Sequence, residues 1–185
     1  MYNLANNRNT SPETLARLAN DENPDIRYRV AYNISTSAET LAHLANDRDW
    51  TVRRNVAENT NTSQETLERL ANDEDSGVRC DVAENPNTSP ETLDRLANDN
   101  SCDVRYWVAQ NLNASPETLE RLAKDDEDSD VRCRVAVNPN TPPETLERLA
   151  NDEDLRVRYW VVRNPNTPQY LKDYLKIKEF LNYYE

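Results

Sequence analysis

Residues 138–150 read Asn138-Pro139-Asn140-Thr141-Pro142-Pro143-Glu144-Thr145-Leu146-Glu147-Arg148-Leu149-Ala150, and Val157-Arg158 follows shortly after. Working outward, the string Glu-Thr-Leu recurs at Glu13, Glu39, Glu65, Glu91, Glu117 and Glu144, at spacings of 26, 26, 26, 26 and 27 residues. Self-similarity at a fixed period of this length is the signature of a repeat architecture. The extra residue lies in Lys124-Asp125-Asp126-Glu127-Asp128-Ser129-Asp130. A degenerate further copy is Thr167-Pro168-Gln169-Tyr170-Leu171, and Leu4-Ala5 precedes Val30-Ala31 by 26.

Each unit reads as two short helices. The first opens on Thr-x-x-Glu, as in Thr10-Ser11-Pro12-Glu13, which has the form of a capping box with Thr as cap. Pro at the first helical position is harmless there, because its missing N–H would have no intrahelical partner. Ala114 interrupts the pattern, and Ser115 is then expected to cap. Leu15, Leu18 and Ala19 form one apolar stripe. Glu13–Arg17, Glu65–Arg69, Glu91–Arg95, Glu117–Arg121 and Glu144–Arg148 stand at i, i+4, where opposite charges pair on a helix surface.

The second helix carries Ile26 and Val30, repeated as Val52/Val56, Val78/Val82 and Val104/Val108. It is expected to stop near Asn33, Asn59, Asn85, Asn111, Asn138 and Asn164, whose amides can satisfy loose backbone groups. Pro86, Pro139 and Pro165 directly follow three of these. No strand-type alternation appears, and Gly77 is the only glycine.

One unit offers Leu15, Leu18, Ile26 and Val30 as large apolar groups. Their full burial is worth roughly 6–12 kcal/mol, while ordering the backbone costs about 1–2 kcal/mol per residue. A unit cannot fold alone, so neighbours must bury one another's faces. The expected fold is all-α: a solenoid of about six two-helix repeats without sheet over residues 1–168, closed by a capping helix over 169–185. That helix carries Tyr170, Tyr174, Ile177, Leu181 and Tyr184 at helical spacing, with Leu171 and Leu175 widening the stripe.

The repeated unit, with Val157-Arg158 as its second half, resembles the leucine-rich repeat variant family, and the resemblance covers residues 4–171. It implies a right-handed superhelix of alternating α and 3₁₀ helices. If one helix is 3₁₀, spacing selects the Leu15/Leu18 helix. HEAT-like repeats are the neighbouring alternative, with longer units. A founding member of the family couples its repeats to a cysteine-rich iron–sulfur segment; this chain has none, so no cluster is carried over and no cofactor is expected. Fold likeness does not itself give function.

Net charge is −12, with 34 acidic residues against 22 Lys and Arg. Double-stranded nucleic acid is therefore a poor partner, because binding it requires cations to displace counterions. A basic protein surface fits the sign, although acidity can also serve solubility alone. The N-terminus lacks the pattern of a signal peptide, and no apolar run approaches the roughly twenty residues that span a bilayer. Cys80, Cys102 and Cys133 are too scattered for a disulfide framework, so a reduced, cytoplasmic, monomeric protein is expected.

Catalytic constellations are lacking. His43, the only histidine, takes the slot of Arg17 and reads as a surface partner for Glu39. The acidic stretch Asp125–Asp130, read as a calcium loop, lacks the sixth-position Gly and the twelfth-position Glu, and is expected to be a solvated loop. Arg27, Arg53, Arg79, Arg105, Arg132 and Arg158 recur at one phase, suited to pairing with loop aspartates such as Asp21, Asp47 and Asp73.

The columns that vary point elsewhere. Two residues after the first Val, about 200° round the helix from it, stand Tyr28, Arg54, Cys80, Tyr106, Cys133 and Tyr159. The next position reads Arg29, Asn55, Asp81, Trp107, Arg134 and Trp160. Aromatic residues and Arg on a polar surface have the composition of binding hot spots. The expected partner-binding stripe is Tyr106, Trp107, Cys133, Val137, Tyr159 and Trp160. The competing reading has the rings closing grooves between adjacent helices. The function expected is a non-catalytic protein-interaction scaffold; the alternative is an acidic decoy that mimics nucleic acid.

Overall fold

A serine precedes most of the short helices and sets where they begin. Ser11, Ser37, Ser63 and Ser115 are extended N-caps whose hydroxyls accept the N–H three residues on: Thr14, Thr40, Thr66 and Thr118. The expected Thr cap is thereby corrected, because the neighbouring threonine is committed elsewhere. Thr36 Oγ1 donates to the Val30 carbonyl at 2.6 Å, and Thr62, Thr141 and Thr167 bond likewise to Val56, Val135 and Val161 at 2.5 Å. These threonines are buried and give a second donor to carbonyls in the last turn of the preceding helix, each of which also accepts the N–H of the C-cap asparagine. In the sixth unit Pro142 replaces the serine, and that helix has no side-chain cap.

In the computed structural model the described residues are 1–182, except the side chains of Asp125 and of 178–182. Among them every regular element is an α-helix. The short helices that open each repeat are α2 (Pro12–Leu18), α4 (Ala38–Leu44), α6 (Gln64–Leu70), α8 (Pro90–Leu96) and α12 (Pro143–Leu149), with α10 (Pro116–Asp125) their lengthened counterpart of ten residues. The long ones are α3 (Pro24–Tyr32), α5 (Trp50–Glu58), α7 (Ser76–Glu84), α9 (Cys102–Gln110), α11 (Ser129–Val137) and α13 (Leu155–Arg163). A fragment, α1 (Tyr2–Ala5), precedes them and α14 (Gln169–Asn182) follows. The short helices are α rather than 3₁₀, with i→i−4 bonds such as Leu15 N–H to the Ser11 carbonyl at 3.0 Å. Only their exits tighten to i→i−3, as Asp47 N–H to Leu44 at 2.9 Å.

The chain divides into two units, residues 1–92 and 93–185. In the first, the long helices α3, α5 and α7 lie side by side; in the second, α9, α11 and α13 do so, and α14 packs on α13. The core of each is the predicted stripe. Leu15, Leu41, Leu67, Val30, Val52 and Val56 are fully buried in the first, and Leu119, Leu146, Val104, Val108, Val157 and Val161 in the second.

Two polar ladders tie successive repeats together. Asn59 Nδ2 donates to the carbonyls of Ala31 and Asn33 at 2.7 and 3.1 Å, one repeat back, while its Oδ1 accepts Asn61 N–H at 2.9 Å. Asn33, Asn138 and Asn164 do the same with their own preceding repeats. The second ladder is ionic. Arg53 Nε and Nη2 grip Asp73 at 2.6 and 2.8 Å, and Nη1 donates to the Asp47 carbonyl at 2.9 Å. Arg27–Asp47, Arg105–Asp126 and Arg132–Asp152 repeat the bidentate grip. Burial works to raise the Asp47 and Asp73 carboxyls. The arginine hydrogen bonds, the N–H groups of Asp49 and Asp75 and nearby arginine charges outweigh it, holding both below the ordinary carboxylate value.

Three further expectations are corrected. The Glu65–Arg69, Glu117–Arg121 and Glu144–Arg148 pairs give way to contacts one repeat back. Arg69 donates to the Ala42 carbonyl, Arg121 pairs with Asp94, and Arg148 meets Glu120. An exposed i, i+4 pair gains only a few tenths of a kcal/mol, so a reach that also satisfies a neighbour's carbonyl competes easily. The stretch 125–130 is not a solvated loop. α10 extends to Asp125, Asp126 is buried against Arg105, Asp128 caps α11 by accepting Asp130 N–H, and Asp130 opens that helix. Finally, α14 buries Leu171 and Leu175 but leaves Tyr170, Tyr174 and Ile177 exposed. Leu181 as a side chain and Tyr184 altogether lie outside the described residues.

Candidate interaction groove

The phase of the long helices decides what faces outward. Val104 and Val108, Val131 and Val135, and Val157 and Val161 hold one side of α9, α11 and α13 in the core of the second unit. The opposite side brings Tyr106, Cys133, Val137, Tyr159 and Trp160 together around one groove of about 580 Å³, with Asp130, Arg134, Leu155 and Arg156 completing it. Trp107 stands beside the groove, edge-on to Tyr106 with centroids 5.5 Å apart. Trp160 meets Tyr159 the same way at 5.2 Å. Edge-to-face pairs of this kind fix both rings against each other. Tyr159, Trp160 and Leu155 remain 44%, 39% and 62% exposed, while Tyr106 and Trp107 are half-buried.

Cys133 differs from expectation. Its phase places it opposite the core, yet it is only 8% exposed. It stands between Tyr106 and Tyr159 in its column, and the larger groove-lining side chains, including Tyr106, Arg156 and Trp160, leave it as the floor. Burial pushes its thiol up to about 11, so it is an uncharged apolar surface at neutral pH rather than a nucleophile.

Two arginines are held on the groove's tyrosine rings without a carboxylate: Arg134, which lines the groove, and Arg163, which reaches it only through Tyr159. Arg134 lies over the Tyr106 ring at 4.6 Å and Arg163 over Tyr159 at 3.4 Å. Among the described residues neither has an acidic partner within ion-pair distance. Arg156, by contrast, is tied to Asp130 at 2.7 Å and to Asp154 at 2.8 Å. Sequence reasoning noted Arg134 in its column but left it out of the stripe, and missed Leu155 and Arg156 in the groove and Arg163 beside it. The signal available was column membership: Leu155 occupies the slot of Pro24 and Ser76, and Arg163 that of Glu58 and Glu84.

The first unit uses the same column otherwise. Arg54 Nε and Nη2 grip Asp81 at 2.7 and 3.1 Å across α5 and α7. Gly77 leaves room for the Asp75 cap of α7, whose Oδ1 a Cβ there would meet at 2.9 Å, while Arg54 Cδ would stand at 3.4 Å, an ordinary contact. His43 is exposed on α4. No helix among the described residues is long and apolar enough to cross a membrane.

Residues 50–75, 77–101 and 130–154 match the family described as leucine rich repeat variant. No curated protein sequence matches the chain. Among solved structures, one titled as a leucine-rich repeat variant with a novel repetitive structural motif is 28% identical, with a TM-score of 0.67 over 91% of this chain and 72% of that one. The X-ray structure of the Escherichia coli protein YibA is 20% identical, with a TM-score of 0.59 over 87% of this chain and 71% of that one, a likeness of fold alone. The fold is an all-helical repeat solenoid, and three of its repeats match the leucine-rich repeat variant that the sequence resembles.

Proposed function

We propose that the chain is a non-catalytic protein-interaction scaffold, working as a cytoplasmic monomer without cofactor, and that the groove of the second unit is its main contact. One observation carries this reading. Positions that the frame does not need are spent on rings: Tyr159 and Trp160 stay exposed beside Leu155 in a protein whose mean hydropathy is −0.99. Rigid aromatic anchors beside arginine are what protein interfaces enrich. The acidic surface elsewhere would steer a partner of basic overall charge and keep the chain soluble. α14 would serve as the cap of the last repeat through Leu171 and Leu175. Deleting residues 169–185 is then expected to lower the thermal midpoint and promote association in sedimentation.

The decoy alternative draws on glutamates such as Glu74 and Glu153, whose side chains are 90% and 92% exposed. It is weakened because Asp47, Asp73, Asp126 and Asp152 are already neutralised by arginine. Competition of a bound partner by duplex DNA separates the two readings. The scaffold reading itself is tested by placing a photo-crosslinking phenylalanine analogue at Tyr159 and, separately, at Arg54, and irradiating in host extract. Adducts from position 159 and not from 54 are expected. Equal yields, or adducts from 54 alone, overturn the placement of the contact.

A further inference from the structure

The charge of the groove runs against the charge of the chain. Over the whole sequence acids outnumber bases by twelve. Around the groove, however, the carboxylates Asp130 and Asp154 are both used by Arg156, while among the described residues Arg134 and Arg163 have none. Both of these guanidiniums lie on tyrosine rings. Stacking engages the flat face of a guanidinium and leaves its in-plane N–H donors available for a carboxylate. Arg163 gives one of its donors to the Tyr159 carbonyl at 3.2 Å, which fixes it further and leaves the rest of its fork. Arg134 lines the groove, Arg163 adjoins it on the ring of Tyr159, and Cys133 and Val137 contribute an apolar floor.

Resting on the interaction reading above, we infer that this groove receives a peptide segment in which a large apolar side chain is flanked by carboxylates. The apolar side chain fills the space over Cys133 and against Trp160, and a carboxylate on either side meets Arg134 and Arg163. Charge complementarity selects this occupant. A basic segment would face two unneutralised arginines, and a neutral one would leave their donors with water alone. The volume, about 580 Å³, lies within the range of sites that enclose a ligand of several groups. The sign of the partner's remaining surface is independent of this local choice.

The test pans a random twelve-residue peptide display library on the full chain, then measures synthetic copies of the selected peptides by fluorescence anisotropy. The expected pool is enriched in Asp or Glu beside Trp, Phe or Leu. Its members should lose about tenfold or more in affinity on Arg134→Gln or Arg163→Gln, the usual scale for a lost charge-assisted bond, with circular dichroism unchanged. Binding should also weaken as salt rises. Selected peptides that are basic or uncharged, yet lose binding on Tyr159→Ser, would overturn the inference and leave the groove as contact. Peptides indifferent to Tyr159→Ser, or no enrichment at all, would overturn both. Self-association in sedimentation that Tyr159→Ser abolishes would assign the groove to a second copy and likewise overturn the inference.

Discussion

The long helices of the two units share one frame and carry opposite faces. In the first unit, Arg54 on α5 reaches Asp81 on α7 and the pair satisfies itself. In the second, the corresponding step from α9 to α11 sets Arg134 over Tyr106, a cation on a ring with no carboxylate in attendance. Beneath both, the same arginine–aspartate grip and the same asparagine ladder run from repeat to repeat. The difference teaches that this repeat separates its positions by column: one set holds the stack and another is at liberty to vary.

If that separation is real, damage to the frame should cost the same in either unit. Arg53→Ala and Arg132→Ala each leave a buried aspartate unpaired, Asp73 or Asp152, with side chains 8% and 7% exposed. Breaking such a pair costs about 3–5 kcal/mol. Urea unfolding followed by circular dichroism should show two losses of similar size. A large loss for one and none for the other would mean the frames are not equivalent.

Acid sharpens the frame further. The Asp73 carboxyl is held below its ordinary value in the folded chain. A carboxylate of lowered folded-state pKa contributes stability that is complete above its unfolded value, about 3.9, and is lost as pH falls through the folded value. Asp73→Asn should therefore be less stable than the parent at pH 6, and the gap should begin to narrow as pH falls below about 4. A gap that stays constant down to pH 2 would show that the charge on Asp73 contributes nothing.

The smallest effect belongs to the face. Arg54 is 44% exposed at its side chain, and exposed pairs are worth about 0–1 kcal/mol. Arg54→Ala should shift the urea midpoint barely at all, in contrast to Arg53→Ala one residue away. Comparable losses from these neighbours would break the division between frame and face.

Much of this was legible in the sequence because periodicity reports phase directly. The apolar stripes, the helix pairs and the arginine column lie where spacing put them, and Tyr159 and Trp160 are exposed as their phase implies. What escaped depends on the neighbouring repeat. Asn59 reads as a local helix stop, but its amide donates to carbonyls 26 and 28 residues earlier, a relation set by stacking. Thr62 and Ser63 are adjacent hydroxyls with equal claims to cap; only the closeness of Thr62 to the Val56 carbonyl separates them. Cys133 is outward by phase and buried by its neighbours' bulk. On α14 both Leu171/Leu175 and Tyr170/Tyr174 have helical spacing, so periodicity leaves open which pair faces α13.

The claim that the rings of the second unit are for recognition is tested most directly by Tyr106→Ser combined with Tyr159→Ser. The rings make edge-to-face and cation–π contacts at the surface rather than in the valine core. The account predicts a chain with unchanged helical circular dichroism and a stability loss of the order of a surface change, about 0.5 kcal/mol for each site. Binding of the natural partner, measured by titration calorimetry, should meanwhile weaken by about 2 kcal/mol for each anchor. A double variant that unfolds would show that the rings belong to the core, and one that folds and binds at full strength would show that the contact lies elsewhere.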